Sequence, residues 1–293
     1  MPKHTIKLGG HEVDETSSPY FVAEIGINHN GDLQIAKRLI DASFACGWDC
    51  VKFQKRTPDI AVPEAQKNVM RETPWGEMTY LEYKKRIEFE KEEYDYIDTY
   101  CREKPISWTA SPWDEPSLTF LLNYDVPFIK LASAANMDEG LIKAAGESGK
   151  PIIMSTGMTT FEELDKSVEL LDKYCDGNFI LLHTNSSYPA ELNELNMRMI
   201  PTLRERYHCL VGYSGHEMGL EPTVIAAAMG ACVIERHVTL SHEMWGTDQK
   251  ASLTIHAMDM LKRRVDEATM IMGGTEKTIS ESEMTVRKKL RGY

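Results

Sequence analysis

What this chain lacks narrows the reading first. No run of about 18 apolar residues occurs, which argues against a membrane-spanning helix. The opening Met1-Pro-Lys-His-Thr5 leads into an alternating stretch with no apolar h-region, so a secretory leader is not expected. The six cysteines (Cys46, Cys50, Cys101, Cys175, Cys209 and Cys232) are scattered without a CxxC spacing. That argues against a zinc cluster or redox pair and fits a reducing cytoplasm. Positive charge is in deficit: the net charge of −12 speaks against a nucleic-acid or anionic-membrane surface. An anionic small molecule remains admissible where cations cluster locally. No glycine-rich dinucleotide fingerprint follows the first strand-like run.

What is present is a repeated alternation. With 293 residues, 42% hydrophobic and 27% charged, the chain has room for one large α/β domain or two small ones. Phe21-Val-Ala-Glu-Ile-Gly-Ile-Asn-His-Asn-Gly31 begins as an apolar strand and ends in amides, an imidazole and a glycine. Asp32 then stands as an N-cap for the periodic run Leu33, Ile35, Ala36, Leu39, Ile40. Strands are expected over 21–27, 50–54, 106–110, 128–132, 151–155, 179–183, 210–213 and 232–238. Helices are expected over 33–46, 91–102, 115–122, 139–147, 161–174, 197–206, 221–229 and 255–271. Eight such units in about 250 residues match an α/β TIM (β/α)8 barrel, with a doubly wound open sheet as runner-up.

The expected layout is an N-terminal β-hairpin over 1–18, turning at Gly9-Gly10 and capping the barrel, then the barrel over 19–273 and a tail over 274–293. The tail reads as a short helix or a flexible end. The longest interruption, 56–86, holds Trp75, Tyr80 and Tyr83 with Pro58, Pro63 and Pro74, and lies where a lid would form.

Polar residues gather at the strand ends, where barrel enzymes keep their chemistry. In order they are Glu24, Asn28 and His29; Lys52 and Gln54; Ser111; Lys130 and Ser133; Ser155; Ser186 and Tyr188; Ser214 and His216; Glu235 and His237. Lys52 and Lys130 sit in apolar strands, where an unpaired ammonium is expensive. They either pair with structural carboxylates such as Glu24 or Glu235, or face the mouth and bind a small polyanion with the serine hydroxyls completing the hydrogen bonds. His216 and His237, at the ends of consecutive strands, are placed to share a divalent metal, although two histidines alone are a weak signal. His4, His11, His208, His242 and His256 read as structural. Ser155-Thr-Gly-Met158 lacks the Walker pattern and reads as a tight strand exit.

Seven segments, taken together, resemble the sialic acid (N-acetylneuraminate) synthase family. They are Ala23-Glu-Ile-Gly-Ile-Asn-His-Asn-Gly31, Val51-Lys-Phe-Gln54, Ile129-Lys-Leu-Ala-Ser133, Ser155-Thr-Gly157, Leu181-Leu-His-Thr-Asn-Ser-Ser-Tyr-Pro189, Gly212-Tyr-Ser-Gly-His216 and Glu235-Arg-His-Val-Thr-Leu240. The resemblance implies a TIM-barrel synthase that condenses phosphoenolpyruvate with an N-acyl amino sugar to give a nonulosonic acid and phosphate. It implies a divalent ion on His216 and His237, usually manganese, with magnesium or cobalt as the other candidates. Lys52, Ser111, Ser133, Ser155, Ser186 and Ser214 would surround the phosphoenolpyruvate, with Lys130 holding its charge. Glu24, Gln54, Tyr188 and Asp248 match positions facing the reacting centre or the sugar. A homodimer is implied as well.

Two departures concern the acceptor side. Bacterial members usually continue into a small antifreeze-like domain that contacts the acceptor, and the sequence ends at Tyr293 before any counterpart, leaving a separate acceptor-binding chain as one expectation. Where many members carry a glutamate after the fourth-strand serine, this chain reads Ala134-Ala-Asn136. Two other readings stay open here: a synthase of another 3-deoxy-2-ulosonic acid from a plain aldose or aldose phosphate, and a non-catalytic barrel that binds a sugar or a partner.

Overall fold

The computed structural model describes residues 5–292; Met1 to His4, with the reading of His4 as structural, and Tyr293 lie outside the described residues. Eight strands form the centre: β1 Tyr20–Gly26, β2 Cys50–Lys55, β3 Ser107–Pro112, β4 Ile129–Leu131, β5 Ile152–Ser155, β6 Phe179–Thr184, β7 Leu210–Gly215 and β8 Val233–Thr239. A helix follows each: α1 Leu33–Ala45, α2 Lys91–Glu103, α3 Glu115–Leu121, α4 Glu139–Glu147, α5 Phe161–Cys175, α6 Met199–Tyr207, α7 Glu221–Ala228 and α8 Ile255–Met272. Every expected strand and helix is present, with ends shifted by at most two residues.

The ladders run β3-β2-β1-β8-β7-β6-β5-β4, all parallel. Because the first strand pairs with the last, the sheet curls into a barrel, and the open-sheet alternative is set aside. One seam, between β3 and β4, carries no ladder among the described residues. The Thr109 hydroxyl crosses it to donate to the Phe128 carbonyl at 2.8 Å.

Strand alternation divides the core. Phe21, Ala23, Ile25, Val51 and Phe53 face outward into the helices, where most of the apolar burial lies. Val22, Cys50, Phe128, Ile153, Leu182, Leu210 and Val233 face inward and fill the N-terminal half of the barrel. One step further along the same inward face stand Glu24, Lys52, Lys130, Ser155, Thr184, Ser214 and Glu235, all buried. The interior therefore passes from hydrocarbon to ions and hydroxyls within two residues on most of these strands, and across Gly212 on β7.

The N-terminal hairpin pairs Ile6–Leu8 with His11–Val13. Gly9 and Gly10 both take positive φ (54° and 94°), as a two-residue turn of this kind requires. Ile6, Leu8 and Val13 then close the bottom of the barrel against its inward apolar layer. In the 56–86 interruption the chain builds a second hairpin, Met70–Thr73 with Gly76–Thr79, and a helix, Tyr80–Ile87, started by a Thr79–Glu82 capping box. Tyr83 and Ile87 pack on Ile27, with Met78, Tyr80 and Trp245 at the edge, so this excursion is seated over the C-terminal mouth.

The tail holds a helix, Glu281–Arg291, with no buried residue. All six cysteines are free thiols, and five of them are buried. Among the described residues no helix is long and apolar enough to cross a membrane.

Candidate active site

The inward ionic layer is a network. Lys52 Nζ lies 2.6 Å from Glu24 Oε2 and 3.6 Å from Glu235 Oε1, and Lys130 Nζ lies 3.7 Å from the same Glu235 oxygen. Two ammonium groups and two carboxylates thus balance in a dry volume, which is how buried charge is tolerated. Both lysines are paired with the carboxylates expected of a structural role, yet the pairs stand at the mouth. The Gln54 amide donates to Glu24 Oε1 at 2.9 Å.

Titration follows from this arrangement, and the four groups behave as a unit. Burial pushes the Glu24 carboxyl up to about 7 against the pull of Lys52, with Glu235 adding to the rise. Burial works the same way on Glu235, but Lys130 and Lys52 overcome it and hold that carboxyl below its usual range. Burial brings the Lys130 ammonium down to about 8. Lys52 is pulled down by burial and carried above its usual value by Glu235 and Glu24. Glu24 is therefore the member closest to exchanging a proton near neutrality.

Hydroxyls complete the pocket. Ser111 Oγ accepts from Lys52 Nζ at 3.0 Å, Ser155 Oγ accepts from Lys130 Nζ at 2.7 Å, and Ser214 Oγ donates to Glu235 at 3.2 Å. Ser133 Oγ accepts from the Gly157 N–H at 3.1 Å. The buried Ser186 Oγ and Glu235 Oε2 have no hydrogen-bond partner. These residues, with Trp113, Tyr188 and the two histidines, enclose a cavity of about 220 Å³. Gly157 is required where it stands, because a Cβ there would collide with Ser186 Oγ and lie 2.7 Å from Ser133 Oγ. Gly26, at a ladder irregularity with φ 55°, lets Glu24, Gln54 and His237 approach one another.

The imidazoles of His216 and His237 lie 5.3 Å apart, centroid to centroid, and the Tyr188 ring covers His216 at 4.1 Å. His216 Nδ1 is 2.6 Å from the Asn185 carbonyl, which assigns its proton there and leaves Nε2 with its lone pair. His237 Nδ1 is buried without a hydrogen-bond partner, and Asp248 Oδ2 stands 3.9 Å from it. Burial, then the neighbouring ring, lowers His216 to about 3, and burial lowers His237 as well. Two neutral imidazoles with an orphaned nitrogen fit a divalent transition metal. Among the described residues no third His, Cys, Asp or Glu joins them as a cluster, so other positions on an ion would go to water or substrate.

Of the polar residues read from the sequence, all line this cavity except Asp248, which stands beside His237, and Asn28 and His29. Asn28 and His29 do not enter it. The Asn28 amide donates to the Val238 carbonyl and Ser252 Oγ, tying the end of β1 to the end of β8. His29 stacks on Phe89 at 3.9 Å and accepts from the Gly31 N–H. His242 Nε2 donates to the Ser252 carbonyl at 2.8 Å, away from the cavity.

Sequence reasoning missed the pair beneath His216. Arg236 Nη1 lies 2.9 Å from Glu217 Oε1 with both side chains fully buried, and Tyr213 and Thr223 hydroxyls bond the same carboxylate. Arg236 also donates to the Glu217 and Gly219 carbonyls, clamping the turn that carries His216. The available signal was an arginine on the outward, otherwise apolar face of β8, between Ile234 and Val238. A larger depression, about 1090 Å³, lies at the opposite end beside the capping hairpin. Its lysines are not buried and His11 is its sole imidazole, so it offers no comparable chemistry.

With this geometry in place, three relatives can be compared. Human N-acetylneuraminate-9-phosphate synthase is 34% identical over 293 residues, covering 99% of this chain and 81% of its own. The N,N'-diacetyllegionaminic acid synthase of Legionella pneumophila is 32% identical over 282 residues, covering 93% and 78%. The structure of N-acetylneuraminic acid (sialic acid) synthetase from Leptospira borgpetersenii, in complex with citrate, aligns with a TM-score of 0.88 at 29% identity, covering 99% and 98%. The NeuB family matches residues 39–277, and the chain belongs to that family.

Proposed function

We propose that this mouth condenses phosphoenolpyruvate with an N-acyl amino sugar, giving a nonulosonic acid and phosphate. The observation that carries the reading is the buried Glu24–Lys52–Glu235–Lys130 network, ringed by five serines and abutting two neutral imidazoles. The names of the relatives, synthases of N-acetylneuraminate 9-phosphate and of diacetyllegionaminic acid, support the same product class.

Lys130, Ser155, Ser133 and Ser186 are placed to hold the donor's phosphate, while Lys52 and Ser111 meet its carboxylate. A divalent ion on His216 and His237, manganese in this reading, would supply Lewis acidity at the aldehyde of the open-chain acceptor. Carbon 3 of the enol forms the new carbon–carbon bond with that aldehyde carbon, whose oxygen takes a proton. Water adds at carbon 2 and loses a proton, and the carbon–oxygen bond to phosphate then breaks as the new hydroxyl gives its remaining proton to the departing phosphate and becomes the ketone. Glu24, held by Gln54 and titrating near neutrality, can accept the proton from water and return one to the acceptor oxygen. Tyr188 and Asp248 flank the imidazoles on the sugar side. The same reading includes a homodimer and a cytoplasmic location, the latter supported by six unpaired thiols.

The test is phosphate release from phosphoenolpyruvate with Mn²⁺ across N-acyl amino sugars and plain aldoses. Release with an N-acyl sugar is expected. Release with plain aldoses alone would move the chain to ulosonate synthesis, and silence without metal binding would favour a non-catalytic barrel.

A further inference from the structure

Unmet hydrogen-bonding atoms show what a cavity is still to receive, because a buried polar atom left alone is costly. Among the described residues, five such atoms belong to side chains that line the active-site cavity: Glu24 Oε2, Trp113 Nε1, Ser186 Oγ, Glu235 Oε2 and His237 Nδ1. The reaction proposed above employs all but the indole. Glu24 and Glu235 pair with the two lysines, Ser186 faces the donor's phosphate, and His237 faces the ion. The N–H of Trp113 is left over. An indole nitrogen only donates, so whatever meets it must bring an acceptor. Buried indoles as a rule have such a partner.

Trp113 is held in place from several sides. Its backbone N–H donates to the Lys55 carbonyl at 3.0 Å, which carries the β2–β3 pairing past the end of the ladder. The Arg56 guanidinium lies over its ring at 4.4 Å and is itself bonded to Gln54 Oε1. The next residue, Asp114, accepts from the Thr57 N–H at 2.7 Å and from the Ser117 N–H at 2.8 Å, capping α3. The indole therefore presents its N–H at a set position before any ligand arrives, as recognition requires.

Strand register sets the level of the ring. Lys52 pairs with Thr109 and Gln54 with Ser111, so the inward face of β3 rises from Thr109 to Ser111 and on to Trp113. Lys52 and Ser111 meet the donor's carboxylate in the reading above, and Trp113 stands one step nearer to the mouth. That is the level of a second molecule laid on the donor. Thr109 bonds Phe128 across the β3–β4 seam, which brings Trp113 level with the end of β4, where Ala132 and Ala134 line the same cavity. One donor facing two methyl groups suits an amide acyl group, whose carbonyl accepts and whose methyl takes an apolar seat. A sugar hydroxyl would find no acceptor for its own proton on these three side chains. We propose that Trp113 is an acceptor-binding residue that selects the N-acyl group, its indole N–H donating to the acyl carbonyl while Ala132 and Ala134 seat the acyl methyl. The inference rests on the synthase reading above.

The test uses Trp113→Phe in the full chain with Mn²⁺ and phosphoenolpyruvate. The acceptor is N-acetylmannosamine or its 6-phosphate, whichever turns over, and the comparison is mannose or mannose 6-phosphate, which lacks the acyl group. We expect KM for the N-acetyl sugar to rise about tenfold, the value of one hydrogen bond, with kcat and the KM for phosphoenolpyruvate unchanged. Mannose, read as a substrate or as a competing inhibitor, should act equally on both proteins. Melting curves check the fold. If Trp113→Phe melts early, placing the benzothienylalanine side chain at this position keeps the fused ring and removes only the N–H, and the same changes are expected. Equal losses for both sugars would make the ring a support for the cavity wall, and a raised KM for phosphoenolpyruvate alone would make it a donor contact. Either result, or an unchanged KM for the N-acetyl sugar, overturns the inference and leaves the synthase reading standing. If no acceptor turns over, the synthase reading falls, and calorimetry with N-acetylmannosamine judges the subsite by itself. Binding about tenfold weaker to Trp113→Phe, with mannose unchanged, supports it. Equal binding, or none to the wild type, overturns it.

Discussion

Lys52 Nζ is 2.6 Å from Glu24 Oε2, and the two side chains are 3% and 2% exposed. This contact joins the two halves of the proposed reaction, since Lys52 faces the donor serine Ser111 and Glu24 approaches His237 through the gap left by Gly26. Glu24→Gln preserves the shape and removes the proton carrier. Phosphate release should fall by about 10²–10⁴ while calorimetric binding of phosphoenolpyruvate persists. Equal losses of binding and turnover would show that Glu24 only supports the pocket.

Lys52→Met removes the cation and strands a carboxylate in the dry interior. Unfolding free energy should drop by about 3–5 kcal/mol, measured by urea titration of the metal-free protein. A loss under about 1 kcal/mol would mean that water reaches this layer.

For the imidazoles, His216→Ala should abolish tight Mn²⁺ binding, read by the paramagnetic signal of free manganese, together with metal-dependent turnover. Undiminished binding would remove the proposed metal role. The clamp below makes a separable contribution. Arg236→Leu leaves Glu217 buried and unpaired and should destabilise the fold by about 3–5 kcal/mol.

Acid should weaken the metal-free protein. In the unfolded chain imidazoles take up a proton near pH 6.5, about the ordinary value, whereas His216 and His29 stay neutral to about 3 in the fold. Between those limits the unfolded chain binds more protons, so stability rises with pH and is lost on acidification from about 6.5 toward 3. Each imidazole contributes on the order of 1.4 kcal/mol per pH unit at full effect. His29→Gln should flatten the fall in melting temperature between pH 7 and 5, and an unchanged slope would place the acid sensitivity elsewhere.

Much of this was legible because burial on both faces writes strands as continuous apolar runs, so a lysine or glutamate inside one stands out. Lys52, Lys130, Glu24 and Glu235 were visible for that reason. The hairpin Met70–Thr79 was not: its residues are mostly exposed, and no alternation marks them. Asn28 and His29 carry the same side chains as catalytic residues do, and only their partners, Val238, Ser252 and Phe89, show that they tie and pack. The Arg236–Glu217 clamp is a fact about pairing between a strand and the turn before the next helix, which residue order does not record.

The unlaced seam between β3 and β4 has a consequence for how the molecule breathes. Thr109 and Phe128 fasten it at one point, and two residues further along each strand lie Ser111 and Lys130, on opposite lips. A donor gripped by both would act as a clasp on a barrel that is otherwise hinged there. Backbone amides of Ile129–Leu131 should exchange with deuterium sooner than those of Ile234, Glu235 and Arg236, which are laced on both sides, and phosphoenolpyruvate should slow the former selectively.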